Sequence, residues 1–195
     1  EDKKIFANKE RDKKIIDHIK KHSEKFKKIA IFAASVSHSK QLQKAMKDDE
    51  ELCKLYDDNI YWIDGPANSI GKSVKRDKFI KTTKKDERNI IINYDILTEG
   101  YDDKSINTVI MARPTRSRVF YIQAVGRALR KNEKDINKQA YVVEVFDDLP
   151  NIRYLINNRI LFSDISDELE PIVEDIKFVD EDDLLTKFDE INSKY

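Results

Sequence analysis

A single cysteine in 195 residues, Cys53, excludes an internal disulfide and a cysteine zinc cluster. The expectation for that thiol is burial as a small hydrophobe. Histidine is nearly as scarce, with three residues at 18, 22 and 38. His18 and His22 share an i, i+4 spacing but lack a third ligand, so no metal site is expected. There is no signal peptide and no apolar run long enough to span a bilayer, which predicts an intracellular chain with no membrane partner. There is also no internal repeat and no Gly/Ser-rich linker. Net charge is absent too: 37 Lys and Arg balance 37 Asp and Glu, against a strongly basic nucleic-acid protein.

What is present is charge, at 38 % of residues, over a 39 % hydrophobic share. That pairing predicts a compact core under very polar helix surfaces. The charge is unevenly spread. Residues 1–28 hold 11 basic and 6 acidic groups, and residues 147–195 hold 5 basic and 14 acidic. A mildly basic body with an acidic tail still permits phosphate contacts on one face. The length fits one domain with an appendage, divided here as 1–150 and 151–195. The sequence begins at Glu1 rather than Met and is read as a piece of something larger.

Periodicity gives the organisation. Residues 9–26 read as an amphipathic helix with Ile15, Ile16, Ile19 and Phe26 on its apolar stripe. KIAIFAAS (28–35), NIYWID (59–64), NIIIN (89–93), NTVIMA (107–112) and QAYVVEVF (139–146) read as strands. Helices are predicted from HSKQLQKAM onward, over 71–82 with Val74, Phe79 and Ile80 inward, and over 117–130. Strands alternating with helices predict an α/β fold with a parallel sheet covered on both faces. Ligands in such sheets gather at the carboxyl ends of the strands. That expectation puts the loops 35–38, 65–70, 95–104 and 113–117 on one functional edge. Beyond 146 the chain reads as acidic and helical. Leu184, Leu185, Phe188 and Ile191 form a stripe that docks on its own domain or on another protein domain.

The stretch GPANSIGKS (65–73) resembles a phosphate-binding loop, which would make the chain a self-contained ATPase. Five residues rather than four separate Gly65 from Gly71, and Pro66 removes a backbone donor. The plainer reading is a strand, a turn and a helix start.

YIQAVGRALR (121–130) carries more. On a helix, Gln123, Arg127 and Arg130 fall on one stripe, and Tyr121, Ile122, Val125 and Leu129 on the side expected to face the sheet. Two guanidiniums on a rigid stripe suit phosphate oxygens and the charge that develops in phosphoryl transfer. Gly126 leaves room for close approach of another backbone. The competing reading is a pair of solvated arginines, with Arg130 favoured by the helix C-terminus.

QAVGRALR resembles motif VI (Gln-x-x-Gly-Arg-x-x-Arg) of superfamily-two helicases and translocases. ILTEGYD (96–102) with NTVIMARPTRS (107–117) resembles their motif V and the strand after it, and IAIFAASVSHSKQL (29–42) resembles motif IV. The order and spacing match the second RecA-like domain over about residues 10–146. The nearest branch includes DNA-repair helicases, DNA translocases and restriction-enzyme motor subunits. The resemblance implies a RecA-like three-layer sandwich with a mostly parallel central sheet and a helical C-terminal extension. It also places Gly65, Arg76 and Phe79 in domain two, where no phosphate-binding loop is expected.

The resemblance further implies roles. Arg127 and Arg130 would reach ATP across an interdomain cleft, with Gln123 positioning water or phosphate. Asp102 would face the ribose on a loop allowed by Gly100, with Glu99 beside it. Ser35, Gly65, Thr98 and Arg116 would line the nucleic-acid face, with Arg118 adding charge. Magnesium would be held mainly by a first RecA-like domain of the same polypeptide. DNA is the expected nucleic acid, with RNA as an alternative. The expected function is therefore the second motor domain of an ATP-dependent DNA helicase or translocase, nearly inactive alone. The alternative is a non-catalytic module that binds nucleic acid or protein.

Overall fold

The computed structural model describes residues 8–63, 81, 83, 85, 87–94, 103–113, 115, 117–131, 135 and 137–145. Most of the predicted helix over 71–82, the domain boundary at 150 and the acidic extension lie outside these residues.

Helix α1 (Lys9–Lys21) starts where the Asn8 side chain accepts the Glu10 amide at 2.9 Å, satisfying one of the donors a helix start leaves open. Its predicted stripe is real: Ile15, Ile16 and Ile19 are buried, and Phe26 is buried beyond the helix end. The chain then enters β1 (Lys28–Phe32), followed by α2 (Val36–Lys47), α3 (Glu50–Leu55) and β2 (Ile60–Ile63). Further on come β3 (Asn89–Asn93), β4 (Thr108–Met111), α4 (Arg118–Leu129) and β5 (Tyr141–Glu144).

The five strands form one parallel sheet in the order β2-β3-β1-β4-β5. Every residue of β1, β3 and β4 is buried, and the edge strands β2 and β5 are mostly half-buried. This is why the central strands read as continuous apolar runs rather than alternating ones: both faces are covered. On one face Ile29, Ile31, Ile90, Ile92 and Ile110 meet Ile15, Ile16 and Ile19 of α1, Leu42 and Met46 of α2 and Leu52 of α3. Each fully buried isoleucine contributes about 1.5–3 kcal/mol. On the other face Phe32 meets Phe120 of α4 edge to face, with ring centroids 5.6 Å apart.

Polar residues close the amino edge of the sheet. Asn107 Oδ1 accepts the amides of Lys27 and Lys28, and its Nδ2 donates to the Lys25 carbonyl. Lys28 and Asp103, both buried, stand 3.7 Å apart. Tyr56 Oη donates to the Phe26 carbonyl at 2.7 Å. Cys53 is half-buried rather than buried, with its thiol near the carbonyls of Met46 and Lys47, and burial raises its pKa. His18, His22 and Phe26 form a cluster of mutually tilted rings. Among the described residues no group of three His, Cys, Asp or Glu could hold a metal ion, and no helix is long and apolar enough to cross a membrane.

Candidate nucleotide and nucleic-acid interface

β1 and β4 lie side by side in parallel, yet the chain leaves β1 for β2 on one side of the sheet and leaves β4 for β5 on the other, which makes the carboxyl ends of this pair the topological switch point. The loop after β1 is held from below. Ala33 N donates to the Asn93 carbonyl at 2.8 Å, tying the ends of β1 and β3. Ala34 N donates to His38 Nδ1 at 3.0 Å, so the ring must donate from Nε2, which lies 2.8 Å from Asp12 Oδ1. Asp12 Oδ2 accepts from Gln41 Nε2 at 2.7 Å. His38 is fully buried and Asp12 nearly so. His38 thus both packs in the core and caps the Ala34 amide.

Ser35 sits on that platform as the N-cap of α2, its Oγ accepting the His38 amide at 3.0 Å. Accepting a bond there leaves the hydroxyl proton for an incoming oxygen. Sequence reasoning missed the partners that fix this loop. Asp12 lies on the helix read only for its isoleucines. Arg11, beside it, is also buried, and its guanidinium donates to the Ala112 carbonyl at 2.6 Å.

At the end of β4 a second group was missed. The Arg113 guanidinium lies 3.8 Å from the Phe120 ring centroid and 4.7 Å from that of Tyr94. Two stacked faces fix a planar cation at the same edge as Ser35. Its signal was present in the ARPT stretch, which places an arginine directly after a buried strand. Gly65, Thr98 and Arg116, assigned to the same edge, lie outside the described residues, as do Glu99, Gly100 and Asp102. Arg118 is exposed in the first turn of α4.

Helix α4 is rotated from its expected setting. The prediction put Ile122 and Leu129 on the sheet, yet they are 49 % and 55 % exposed, and Val119 is 65 % exposed. Tyr121 and Val125 are buried as expected, but they are joined by Phe120, Ala124, Arg127 and Ala128 rather than by Ile122 and Leu129. The small side chains of Ala124 and Ala128, each fully or almost fully buried, suit close packing of helix against sheet. Tyr121 adds a polar tie: its hydroxyl donates to Glu144 of β5 at 2.5 Å. Burial, then the Glu144 charge, pushes the Tyr121 pKa up.

The rotation separates the three predicted catalytic residues. Gln123 is exposed and Arg130 half-buried, whereas Arg127 is 6 % exposed. The expectation that both arginines face away from the core therefore does not hold for Arg127. A Cβ built on Gly126 meets nothing within 4 Å, so this face is open to close approach.

The expected edge also needs correction. The segment 95–104 was placed wholly at the carboxyl edge. It starts there, after Tyr94, but Asp103 pairs with Lys28 at the first residue of β1, which is the amino edge. Arg130 lies on that side too. Lys138 Nζ donates to the carbonyls of both Lys104 (2.8 Å) and Arg130 (2.9 Å), and Lys138 precedes β5. A helix leaving the carboxyl edge of β4 has returned to the opposite edge by its last residue. The predicted ligands thus divide, with Ser35 at one edge of the sheet, where Arg113 also lies, and Arg130 near the other.

With this geometry in hand, the relatives are informative. The sequence profile described as the helicase conserved C-terminal domain matches residues 10–132. A Saccharomyces cerevisiae protein named as a candidate ATP-dependent helicase, IRC3, is 32 % identical over 111 residues, covering 57 % of this chain and 14 % of its own length. The type I restriction enzyme EcoKI endonuclease subunit of Escherichia coli K12 is 30 % identical over 124 residues, covering 62 % of this chain and 10 % of its own. The chain thus spans a small fraction of the curated relatives it matches. Domain 2 of the DEAD-box helicase Mss116p, solved bound to an RNA duplex, superposes with a TM-score of 0.55 at 24 % identity, covering 73 % of this chain and 52 % of that one. That likeness supports the α/β RecA-like fold. The motifs, the parallel sheet and the profile match agree: the chain belongs to the helicase conserved C-terminal domain family, the second RecA-like domain of superfamily-two helicases.

Proposed function

We propose that this chain is the second motor domain of an ATP-dependent DNA helicase or translocase. The observation that carries the proposal is the profile match over residues 10–132, which includes α4 with Gln123 exposed and Arg130 at its open end. ATP, held by a first RecA-like domain, would meet Arg130 on closure of the cleft. The guanidinium stabilises charge on the transferring phosphoryl group while water attacks the γ-phosphorus and the bond to the ADP oxygen breaks. Gln123 orients water or phosphate. Arg127, being buried, either turns outward on closure or holds α4 in place. Asp102 takes the ribose, with Glu99 and Gly100 shaping its loop.

The three candidate side chains Gln123, Arg127 and Arg130 are cationic or amide donors, which suit phosphate oxygens rather than a metal. Magnesium therefore belongs mainly to the first domain, where it would help neutralise phosphate charge. At the carboxyl edge Ser35 and Arg113 bind nucleic-acid phosphates, joined by Gly65, Thr98 and Arg116. Loss of the γ-phosphate then releases the two domains, and nucleic acid gripped by both is stepped along.

A second reading, a non-catalytic module binding nucleic acid or protein, is favoured by the burial of Arg127. The two part on ATP turnover. The isolated chain should hydrolyse almost no ATP under either reading. Joined to its first domain, the motor reading requires DNA-stimulated turnover and the module reading requires none.

A further inference from the structure

We infer that Lys138 is a positioning residue for phosphoryl transfer: its ammonium pins the end of α4 to the segment before β4 and so fixes where Arg130 presents its guanidinium. This rests on the reading of Arg130 as an ATP-facing arginine.

The geometry is a two-sided clamp. Arg130 follows the last helical residue with extended backbone angles, φ −62° and ψ 127°. Carbonyls at a helix end have no partner within the helix. The Arg130 carbonyl accepts from Lys138 Nζ at 2.9 Å, and the same nitrogen donates to the Lys104 carbonyl at 2.8 Å. A cation there is also favoured by the helix dipole. The far side of the clamp is itself anchored. Asp103, next to Lys104, is buried against Lys28 and accepts from the Ser105 amide at 3.0 Å. Lys138 therefore connects Arg130 to the first residue of β1 through a short chain of polar contacts. A helix terminus otherwise frays, and a reacting group misplaced by about 1 Å can cost roughly 10²-fold in rate.

The charge on the clamp is under tension. Burial lowers the Lys138 pKa, opposed by the negative charges of Asp103 and Asp135. Asp103 comes from the segment before β4 and Asp135 from the loop that carries Lys138. Lys104 and Arg130 contribute their backbone carbonyls, and Lys28 faces Asp103 from β1. Deprotonation leaves an amine with fewer hydrogens to share between two carbonyls. An arginine at 138 stays charged.

The test uses the complete natural polypeptide and nucleic-acid-stimulated ATP turnover. Lys138→Met should lower kcat about tenfold or more while KM for ATP stays within about twofold, the pattern of a contact realised in the transition state. Lys138→Arg should restore most of the rate. In an Arg130→Ala background, Lys138→Met should add nothing further, since it acts through that arginine. Wild-type turnover should fall at alkaline pH before that of Lys138→Arg. If Arg130→Ala is slow but Lys138→Met turns over normally, the inference is wrong and the motor reading stands. If the two substitutions multiply independently, Lys138 does not act through Arg130. If Arg130→Ala is fully active, both ideas fall together. Should Lys138→Met fail to fold, the alkaline limbs of wild type and Lys138→Arg decide, and coincident limbs overturn the inference.

Discussion

Tyr121 and Glu144 join α4 to β5 through one hydrogen bond, phenol to carboxylate, at 2.5 Å. Tyr121 is buried and Glu144 half-buried. Removing the hydroxyl takes away the donor and leaves the carboxylate partly desolvated. Tyr121→Phe should lower unfolding free energy by about 1–3 kcal/mol, read as a lower urea midpoint at unchanged slope.

The same residue sets an alkaline limit, together with Tyr56. Burial is the main cause of both shifts, and it pushes the Tyr56 pKa up to about 12 from an ordinary value of 10.0. The folded state thus keeps protons that the unfolded chain releases above pH 10.0. Stability is fully present below that pH and falls as pH rises through the folded pKa values. Thermal melts from pH 8 to 12 should show the decline, and Tyr56→Phe should make it shallower. A melt curve indifferent to pH across that range would contradict the assignment.

The His38–Asp12 pair predicts a local effect with a functional readout. His38→Leu removes the acceptor of the Ala34 amide and the partner of Asp12, both buried. A loss of about 2–4 kcal/mol is expected from two buried polar groups left unsatisfied. Because the ring holds the loop that carries Ser35, DNA affinity of the surviving folded protein should drop as well. Hydrogen exchange at Ala34 should rise ahead of exchange in β1.

Lys20 should matter little, despite its many partners. It lies within 2.9 Å of Asp49 and 3.2 Å of Glu51, and its hydrogen bond to Asp49 is the main cause of its raised pKa. Such a pair near the surface is worth under about 1 kcal/mol. Lys20→Ala should leave the melting temperature nearly unchanged, and the small difference should shrink further as salt is added.

The fold was legible where burial is two-sided. KIAIF and NIIIN announce central strands because the residues after Lys28 and between Asn89 and Asn93 are uninterruptedly apolar, and NIIIN matches β3 residue for residue. The family was legible because three motifs fall in order on predicted strand edges. The setting of α4 was not. Helical periodicity assigns the largest aliphatics to the core, but here Ala124 and Ala128 face the sheet and Ile122 and Leu129 face outward. Close packing of helix on sheet selects small residues, and a hydrophobicity pattern cannot see an inter-axial distance. The polar residues that position the loops were equally hidden. Asp12, His38 and Asn107 gain meaning only from partners 26 and about 80 positions away. The rule that ligands gather at carboxyl edges pointed to the loops in which Ser35 and Arg113 stand, without singling out Arg113, whereas α4 carries Arg130 to the opposite edge.

The most direct test of the motor account is DNA-stimulated ATP turnover by the complete polypeptide with Arg130→Ala. The account predicts a fall of about 10³–10⁵ in kcat, with melting temperature and DNA affinity near those of the wild type. Turnover equal to wild type in a folded, DNA-binding Arg130→Ala protein would contradict it.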